Sequence, residues 1–285
     1  MIRTSCRFLL CVAALASLTA APCGAATPAE LIAQADLAYT TRYLEESMTE
    51  AIALYEGVLP DLESLSEWTQ AYVLNRLSQL CYEAALFADG HTPEDEELYT
   101  KGKEYAFRSL RMNEAFAEHE AESLEAALPY ATDPAALHWA ASNWGMICGI
   151  HPIQGLMQQG SVNAMYARCL EIEPGFWGGS AASSLGSLLI MTPGPMGGDD
   201  ERGFDLVEES IESNPDYLSN RIILAEYWGF TYNMFGALTG VRDAELIERE
   251  TGLILESEVG DWPFWNRRAK IDAERLLSLL NDHAG

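Results

Sequence analysis

The chain has 285 residues, of which 17 are Lys or Arg and 43 are Asp or Glu, giving a formal net charge of −26 at pH 7. This acidity argues against nucleic acid and anionic lipid surfaces as partners, because both repel a strongly negative protein. A chain of this length buries enough apolar surface to fold without a disulfide framework.

Residues 1–26 have the parts of a secretory signal peptide. Arg3 and Arg7 supply positive charge, an apolar run follows from Phe8 to Leu18, and small residues precede the expected cleavage site after Ala26. The mature chain is then expected to begin at Thr27 and to be periplasmic.

A lipoprotein anchored through Cys23 is the alternative to a soluble periplasmic protein. Pro22 beside this cysteine makes a poor lipobox, so we expect membrane attachment only if Cys23 is lipidated. No later stretch has the roughly 18 to 20 apolar residues of a membrane span. Cys81, Cys148 and Cys169 remain after cleavage, and we expect buried free thiols, with one disulfide among them as the alternative.

Apolar residues at three- and four-residue spacing predict an all-α helical domain over residues 27–285, and the lack of alternating β-branched runs argues against a sheet. Helix starts are marked by a capping residue followed by proline or acidic residues. They lie at Thr27, Thr92, Asp133 and Asp199.

An internal repeat places a small residue, an apolar or aromatic residue, a second small residue and then a break along successive helices. The four copies are Ala51, Tyr55, Val58, Glu63; Gly102, Ala106, Ser109, Glu114; Val162, Tyr166, Cys169, Pro174; and Gly203, Val207, Ser210, Pro215. This pattern matches the second helix of a degenerate tetratricopeptide pair. The copies are 51, 60 and 41 residues apart, longer than the roughly 34 of a regular repeat, so long connections are expected.

Segments rich in Pro and Gly predict loops between the pairs, at His151–Gly160, Pro174–Gly179 and Thr192–Gly198. The last two helices, about Val241–Ser257 and Phe264–His283, are expected to cap the helix-pair array.

The Pro193–Asp199 turn, followed by an acidic helix and then an aromatic-rich one, resembles the T-component proteins of TRAP transporters, the tripartite ATP-independent periplasmic uptake systems. Other supporting segments are Trp139–Gly149, Gly178–Met191, Arg221–Phe230 and the closing WNRRAKIDAERLL from Trp265. The resemblance extends from about Ala51 to the end of the chain.

This resemblance implies a periplasmic helical protein that can assemble as a homotrimer and associates with the solute-binding (P) subunit of the transporter. It implies an accessory role in delivering a small organic ligand. Members of the family are typically lipoproteins, so the weak lipobox at Cys23 is a departure that bears on the anchor and not on the fold.

The sequence shows no signature of catalysis, a metal site or a cofactor. The five histidines have no HExxH or similar spacing, and neither GxSxG nor SxxK occurs. The glycine-rich turn before Asp199 lacks the Lys-Ser/Thr of a phosphate-binding loop, so we interpret it as a structural turn. We therefore predict a binding protein and not an enzyme.

Aromatic residues in the middle repeats are the candidate ligand contacts. Trp177 lies in a Pro- and Gly-flanked loop, Trp144 follows Asn143 on a helix, and Trp228 lies in the aromatic-rich helix. We predict that Asn143, Trp144, Trp177 and Trp228 contribute to a largely apolar pocket for an apolar or amphiphilic ligand. The alternative is an envelope scaffold that binds proteins and has no small-molecule site.

Overall fold

The computed structural model describes residues 26–87, 92–233 and 236–283, and these residues are almost entirely helical. The predicted signal peptide, residues 1–26, lies outside the described residues except for Ala26. The helices are α1 (Pro28–Thr40), α2 (Glu45–Glu56), α3 (Glu67–Ala85), α4 (Pro93–Leu110), α5 (Glu114–Glu120), α6 (Leu124–Ala127), α7 (Pro134–Ile150), α8 (Pro152–Ile172), α9 (Phe176–Met191), α10 (Asp200–Ser213), α11 (Ser219–Ile223), α12 (Ala244–Glu256) and α13 (Pro263–His283).

The predicted helix starts are confirmed. Thr27 and Thr92 each accept a hydrogen bond from the backbone N–H three residues on, and the Glu30 and Asp95 carboxylates bond back to the capping residue. These reciprocal bonds satisfy N–H groups that a helix start otherwise leaves unpaired. Asp133 and Asp199 cap α7 and α10 by accepting backbone N–H groups of the first turn, and a 3₁₀ turn precedes α10 as the glycine-rich segment predicts.

The four predicted second helices are α2, α4, α8 and α10, and each packs against the first helix of its pair, α1, α3, α7 and α9. All twelve small and apolar repeat residues are buried: Ala51, Tyr55, Val58, Gly102, Ala106, Ser109, Val162, Tyr166, Cys169, Gly203, Val207 and Ser210. Small residues at these positions let the helices approach closely. The short helices α5 and α6 occupy the long connection between the second and third pairs.

The prediction of a loop at His151–Gly160 is wrong, because α8 already begins at Pro152. Proline suits the first turn of a helix, where a missing N–H loses no partner. Gly155 continues the helix instead of ending it. A Cβ atom at Gly155 would lie 2.3 Å from the Cys148 carbonyl oxygen, so this glycine permits the close crossing of α7 and α8.

The expectation that the chain has no sheet is wrong for one antiparallel hairpin, β1 (Phe230–Tyr232) with β2 (Leu238–Val241). The predicted aromatic-rich helix ends in a π-helical turn, Leu224–Trp228, and does not reach Phe230. Gly229 lies between this turn and β1. Its carbonyl oxygen accepts the N–H groups of Arg242 and Asp243, which fastens the end of the hairpin to the end of the helical turn.

The last helix, α13, reaches the first helix pairs as well as covering the last one. Phe264 packs in the cluster formed by α1, α2 and α3, the Trp265 indole N–H donates to Glu83 on α3, and Arg268 donates to the Leu86 carbonyl oxygen. The end of the array is therefore fastened to its beginning, a contact that a simple capping helix does not make.

Within the described ranges, no helix has the length and apolar character needed to cross a membrane. The cysteines Cys81, Cys148 and Cys169 are free thiols as expected; Cys148 is half-buried and the other two are buried. Burial raises the pKa of the Cys81 thiol to about 12, so this thiol stays protonated and unreactive near neutral pH.

The close α7–α8 crossing gives a testable expectation for Gly155→Ala. The added methyl group collides with backbone, which cannot move aside without shifting a helix, so the free energy of unfolding should fall by about 1–3 kcal/mol in urea titrations. Gly252→Ala in α12 is the matched control, since nothing lies within 4 Å of a Cβ at that site. The control should gain up to about 1 kcal/mol. Equal effects of the two substitutions would contradict the close crossing.

Candidate functional site

The start of α9 has an unusual backbone. Trp177, Gly178 and Gly179 have φ values of 50°, 66° and 75°, so the regular helix begins only after Gly179. Trp177 is the one non-glycine residue with a positive φ among the residues that the structure describes. A left-handed conformation costs about 1–2 kcal/mol for a residue with a Cβ, so the surrounding contacts must hold this turn in place.

Contacts from the α10–α11 region hold the turn. A Cβ atom at Gly178 would lie 2.6 Å from Cγ of the Tyr217 ring, so the glycine lets the turn and this ring touch. Asn220 Nδ2 donates to the Gly178 carbonyl oxygen at 2.8 Å. The predicted Pro- and Gly-flanked turn at Trp177 is therefore present, and a ligand contact of this side chain stays a prediction.

Trp177 belongs to a closed cycle of six aromatic rings contributed by five regions of the chain. Consecutive ring centroids are 6.0 Å apart for Tyr82–Trp139, 5.2 Å for Trp139–Trp177, 5.3 Å for Trp177–Trp262, 4.7 Å for Tyr217–Trp262, 6.1 Å for Tyr217–Trp265 and 6.1 Å for Tyr82–Trp265. These spacings fall in the range of favourable aromatic pairs. We call this set the aromatic cycle.

The rings of the aromatic cycle differ in their exposure. Trp139 and Tyr217 are 2% and 3% exposed, whereas Tyr82, Trp177 and the two tryptophans near the start of α13 are only half-buried. Burial nevertheless raises the pKa of the Tyr82 and Tyr217 hydroxyls well above 10. The protein around these two hydroxyls therefore disfavours the charged phenolate.

A buried ion pair fixes one edge of the aromatic cycle. Glu83 Oε1 accepts the Trp265 indole N–H at 2.9 Å and the Gln79 amide at 2.7 Å, and Glu83 Oε2 accepts Arg42 Nε at 2.6 Å. The Glu83 side chain is fully buried. Because each carboxylate oxygen has a donor, the charge is compensated and the indole of Trp265 is held in one orientation.

A serine and a histidine lie together behind the aromatic cycle. The Ser180 hydroxyl is 3.2 Å from His138 Nε2, and the His138 ring packs edge-on against Trp139 with centroids 4.7 Å apart. Burial lowers the pKa of His138 to about 3. A histidine with this pKa is too weak a base to activate a serine near neutral pH. The His138 ring is therefore neutral near neutral pH, where it packs against Trp139.

Asn143 and Trp144 are not part of the aromatic cycle, and their side chains point in different directions from α7. Asn143 is fully buried, and its Nδ2 donates to the Trp139 carbonyl oxygen at 2.8 Å and to the Ser78 carbonyl oxygen at 3.2 Å. Trp144 is half-buried, and Lys103 Nζ lies 3.7 Å from the centre of its ring. A ligand contact at either residue stays a prediction.

Trp228 lies in a third location, at a surface cavity of about 520 Å³. The Arg242 guanidinium is 4.6 Å from the centre of its ring, and Asp199, Asp200 and Glu201 line the cavity with it. The structure therefore does not bring the four predicted site residues together. Only Trp177 lies in the aromatic cycle.

Among the described residues, no group of three or more His, Cys, Asp or Glu side chains is placed to hold a metal ion.

A family model described as TRAP transporter T-component matches residues 81–232. The chain belongs to this family. The match is shorter than the resemblance seen in the sequence, but it includes the last turn of α3, the left-handed turn and the hairpin strand β1. Four of the six rings of the aromatic cycle lie within it, and Trp262 and Trp265 lie beyond it. No curated protein matches the chain.

Most of the aromatic cycle was not predicted from the sequence. Trp177 was predicted as a site residue, whereas Tyr82, Trp139, Tyr217, Trp262 and Trp265 were not, because the cycle closes only when α13 returns to α3. A signal was present in the Trp262–Trp265 segment, where three aromatic residues flank the proline that begins α13. Such a dense aromatic group at a helix start indicates that the helix end is buried against other elements.

The low pKa of His138 predicts a pH dependence of stability. The histidine titrates near 6.5 in the unfolded chain and at about 3 in the folded one, so the unfolded chain binds an extra proton between these values. The contribution of His138 to the free energy of unfolding is therefore fully present above pH 6.5. Below pH 6.5 this contribution falls by about 1.4 kcal/mol for each pH unit.

Urea titrations between pH 7 and pH 4 check this expectation, with both variants compared to the wild type. His138→Gln should remove this slope, whatever its effect on stability at pH 7. His283→Gln, at an exposed position on α13, should keep the slope of the wild type. If the wild type and His138→Gln lose stability in parallel as the pH falls, the conclusion that His138 is buried and neutral in the folded chain is wrong.

Proposed function

We propose that this protein is a binding component of a TRAP-type transporter and holds a small apolar or amphiphilic organic ligand against the aromatic cycle. The observation that supports this most directly is that four of the six rings are only half-buried, so part of their surface remains accessible to a ligand. Apolar clefts with few polar groups are the usual form of such ligand sites.

The charges near the aromatic cycle favour an uncharged ligand body. Arg168 and Arg202 are the only Lys or Arg residues between Ala131 and Leu218. Arg168 bonds to the Ala131 carbonyl oxygen and to Glu171, and Arg202 pairs with Glu209. Arg42, at the edge of the aromatic cycle, is paired with Glu83, so these three arginines already have acidic partners.

Membership of the family supports association with the other subunits of a TRAP transporter. We propose that the mature chain acts in the periplasm, docks on the solute-binding (P) subunit and assembles as a homotrimer, as the resemblance implies. We also propose that it binds and does not catalyse. Cleavage before Thr27 and the fate of Cys23 stay predictions.

A protein-binding scaffold is the second candidate function, and one surface groove favours it. The groove has a volume of about 390 Å³ and lies between α2, α3 and α4. Its lining is mostly apolar, with two glutamates: Glu45, Met48, Thr49, Ile52, Ala53, Glu56, Ala84, Phe87 and Leu98. A segment with apolar and basic side chains would suit this lining.

Substitution of Trp177 tests the ligand site. Trp177→Gly removes the ring and suits the left-handed backbone, so the variant should still fold. With N-phenyl-1-naphthylamine as an apolar fluorescent probe, its dissociation constant should rise about 5- to 150-fold, equal to roughly 1–3 kcal/mol of lost burial.

Three other indoles are compared in the same titration. Trp68→Ala, at an exposed position outside the cycle, should bind the probe as the wild type does. Trp144→Ala and Trp228→Ala show whether the other predicted residues contribute. If folded Trp177→Gly binds the probe with unchanged affinity, the proposed site is wrong and the scaffold function gains support.

A further inference from the structure

The groove between α2, α3 and α4 is lined mainly by apolar side chains. Both α2 and α4 pack on α3, and the groove, of about 390 Å³, lies between them. Met48, Ile52 and Leu98 line it, together with Phe87, which is 39% exposed. Apolar side chains in such a cleft can contact the apolar part of a ligand.

Two glutamates are the charged residues of this lining, among those that the structure describes. Glu45 and Glu56 are the first and last residues of α2, about 16 Å apart along the helix axis. No described Lys or Arg lines the groove with them, and no basic residue lies in the last turn of α2. The groove therefore combines apolar surface with two negative charges that no basic residue of its lining balances.

Glu56 lies where the helix itself disfavours a negative charge. Glu45 is at the positive end of the helix dipole, which stabilises its carboxylate, whereas Glu56 is at the negative end. The Tyr105 hydroxyl of α4 donates to Glu56 Oε1 at 3.1 Å, and burial raises the pKa of this hydroxyl, so it stays a donor near neutral pH. One neutral donor orients the Glu56 carboxylate but does not balance its charge. A cation bound at this end of the groove would balance it.

The size of the groove favours a small molecule over a protein segment. Its volume of about 390 Å³ lies within the range of roughly 300–1,000 Å³ that clefts for small ligands have. A helix is about 10 Å across, so it could place only a few side chains in this space. The net charge of −26 also attracts small cations to the chain.

We propose that this groove binds an organic cation that carries an apolar chain, of the alkylammonium class. The chain contacts Met48, Ile52 and Leu98, and the ammonium group lies beside Glu56, with Glu45 adding negative charge at the other end. Burial of the chain supplies the apolar part of the affinity, and the glutamates select the sign of the charge. This site is separate from the aromatic cycle and does not depend on ligand binding there.

Calorimetric titration of the mature chain with three probes of equal chain length tests the proposal. Octyltrimethylammonium should bind at one site, octanol should bind roughly 3- to 30-fold more weakly, and octanoate should not bind, because only the charge differs. Tetramethylammonium, which has the charge without the chain, should bind at least roughly 100-fold more weakly than octyltrimethylammonium. Added salt should weaken binding of the cation, because it screens the glutamates.

Substitutions on α2 locate the binding site. Glu45→Gln with Glu56→Gln keeps the size of both side chains and should raise the dissociation constant of octyltrimethylammonium roughly 3- to 30-fold. The matched control, Glu46→Gln with Glu50→Gln, removes the same charge from exposed positions of α2 outside the groove lining and should bind as the wild type does. Ala53→Trp places a ring in the groove from an exposed position and should abolish binding without unfolding the chain.

Several results would overturn the proposal: no saturable binding of octyltrimethylammonium, equal affinity for octanol, or equal losses in the groove variant and its control. An amphipathic peptide of leucine and lysine that binds the wild type but not Ala53→Trp, when octyltrimethylammonium binds neither, would instead assign the groove to a protein segment. Trp177→Gly should bind octyltrimethylammonium as the wild type does. The proposals for the groove and for the aromatic cycle can therefore fail separately.

Discussion

The buried carboxylate of Glu83 joins the two ends of this helical array, because it pairs with Arg42 and also accepts a hydrogen bond from the last helix. Arg42 follows α1, Glu83 lies on α3, and the indole N–H that completes the site comes from Trp265 on α13. A buried charge without these donors would cost several kcal/mol. The array therefore closes on itself, and the rings of the aromatic cycle meet where its ends come together.

Two kinds of contact support this closed arrangement. Glycines allow close approaches: Gly155 between α7 and α8, and Gly178 against the Tyr217 ring. The second kind is the set of ring contacts in the aromatic cycle, in which every ring touches two others. Trp177 connects the two kinds, because its ring is part of the cycle while its backbone adopts a left-handed conformation that only the neighbouring contacts maintain.

Local features of the fold were predictable from the sequence, and distant contacts were not. Capping residues such as Thr27 and the repeat spacing act over a few residues, so the helix starts and pairs could be predicted correctly. The loop assigned to His151–Gly160 was wrong because the glycine content of a segment does not show whether a glycine ends a helix or permits a crossing. The contact of Tyr82 with Trp265 joins residues far apart in the chain, and no local pattern encodes it.

A double-mutant cycle between Glu83 and Trp265 tests the closure most directly. Trp265→Phe keeps an aromatic ring but removes the N–H donor, and Glu83→Leu removes the acceptor. The free energies of unfolding of the wild type, both single variants and the double variant give the coupling between the two residues. The closed array predicts a favourable coupling of about 1.5–3 kcal/mol, as for a buried hydrogen bond to a charged group. A coupling near zero would show that α13 is not fastened to α3 through this contact.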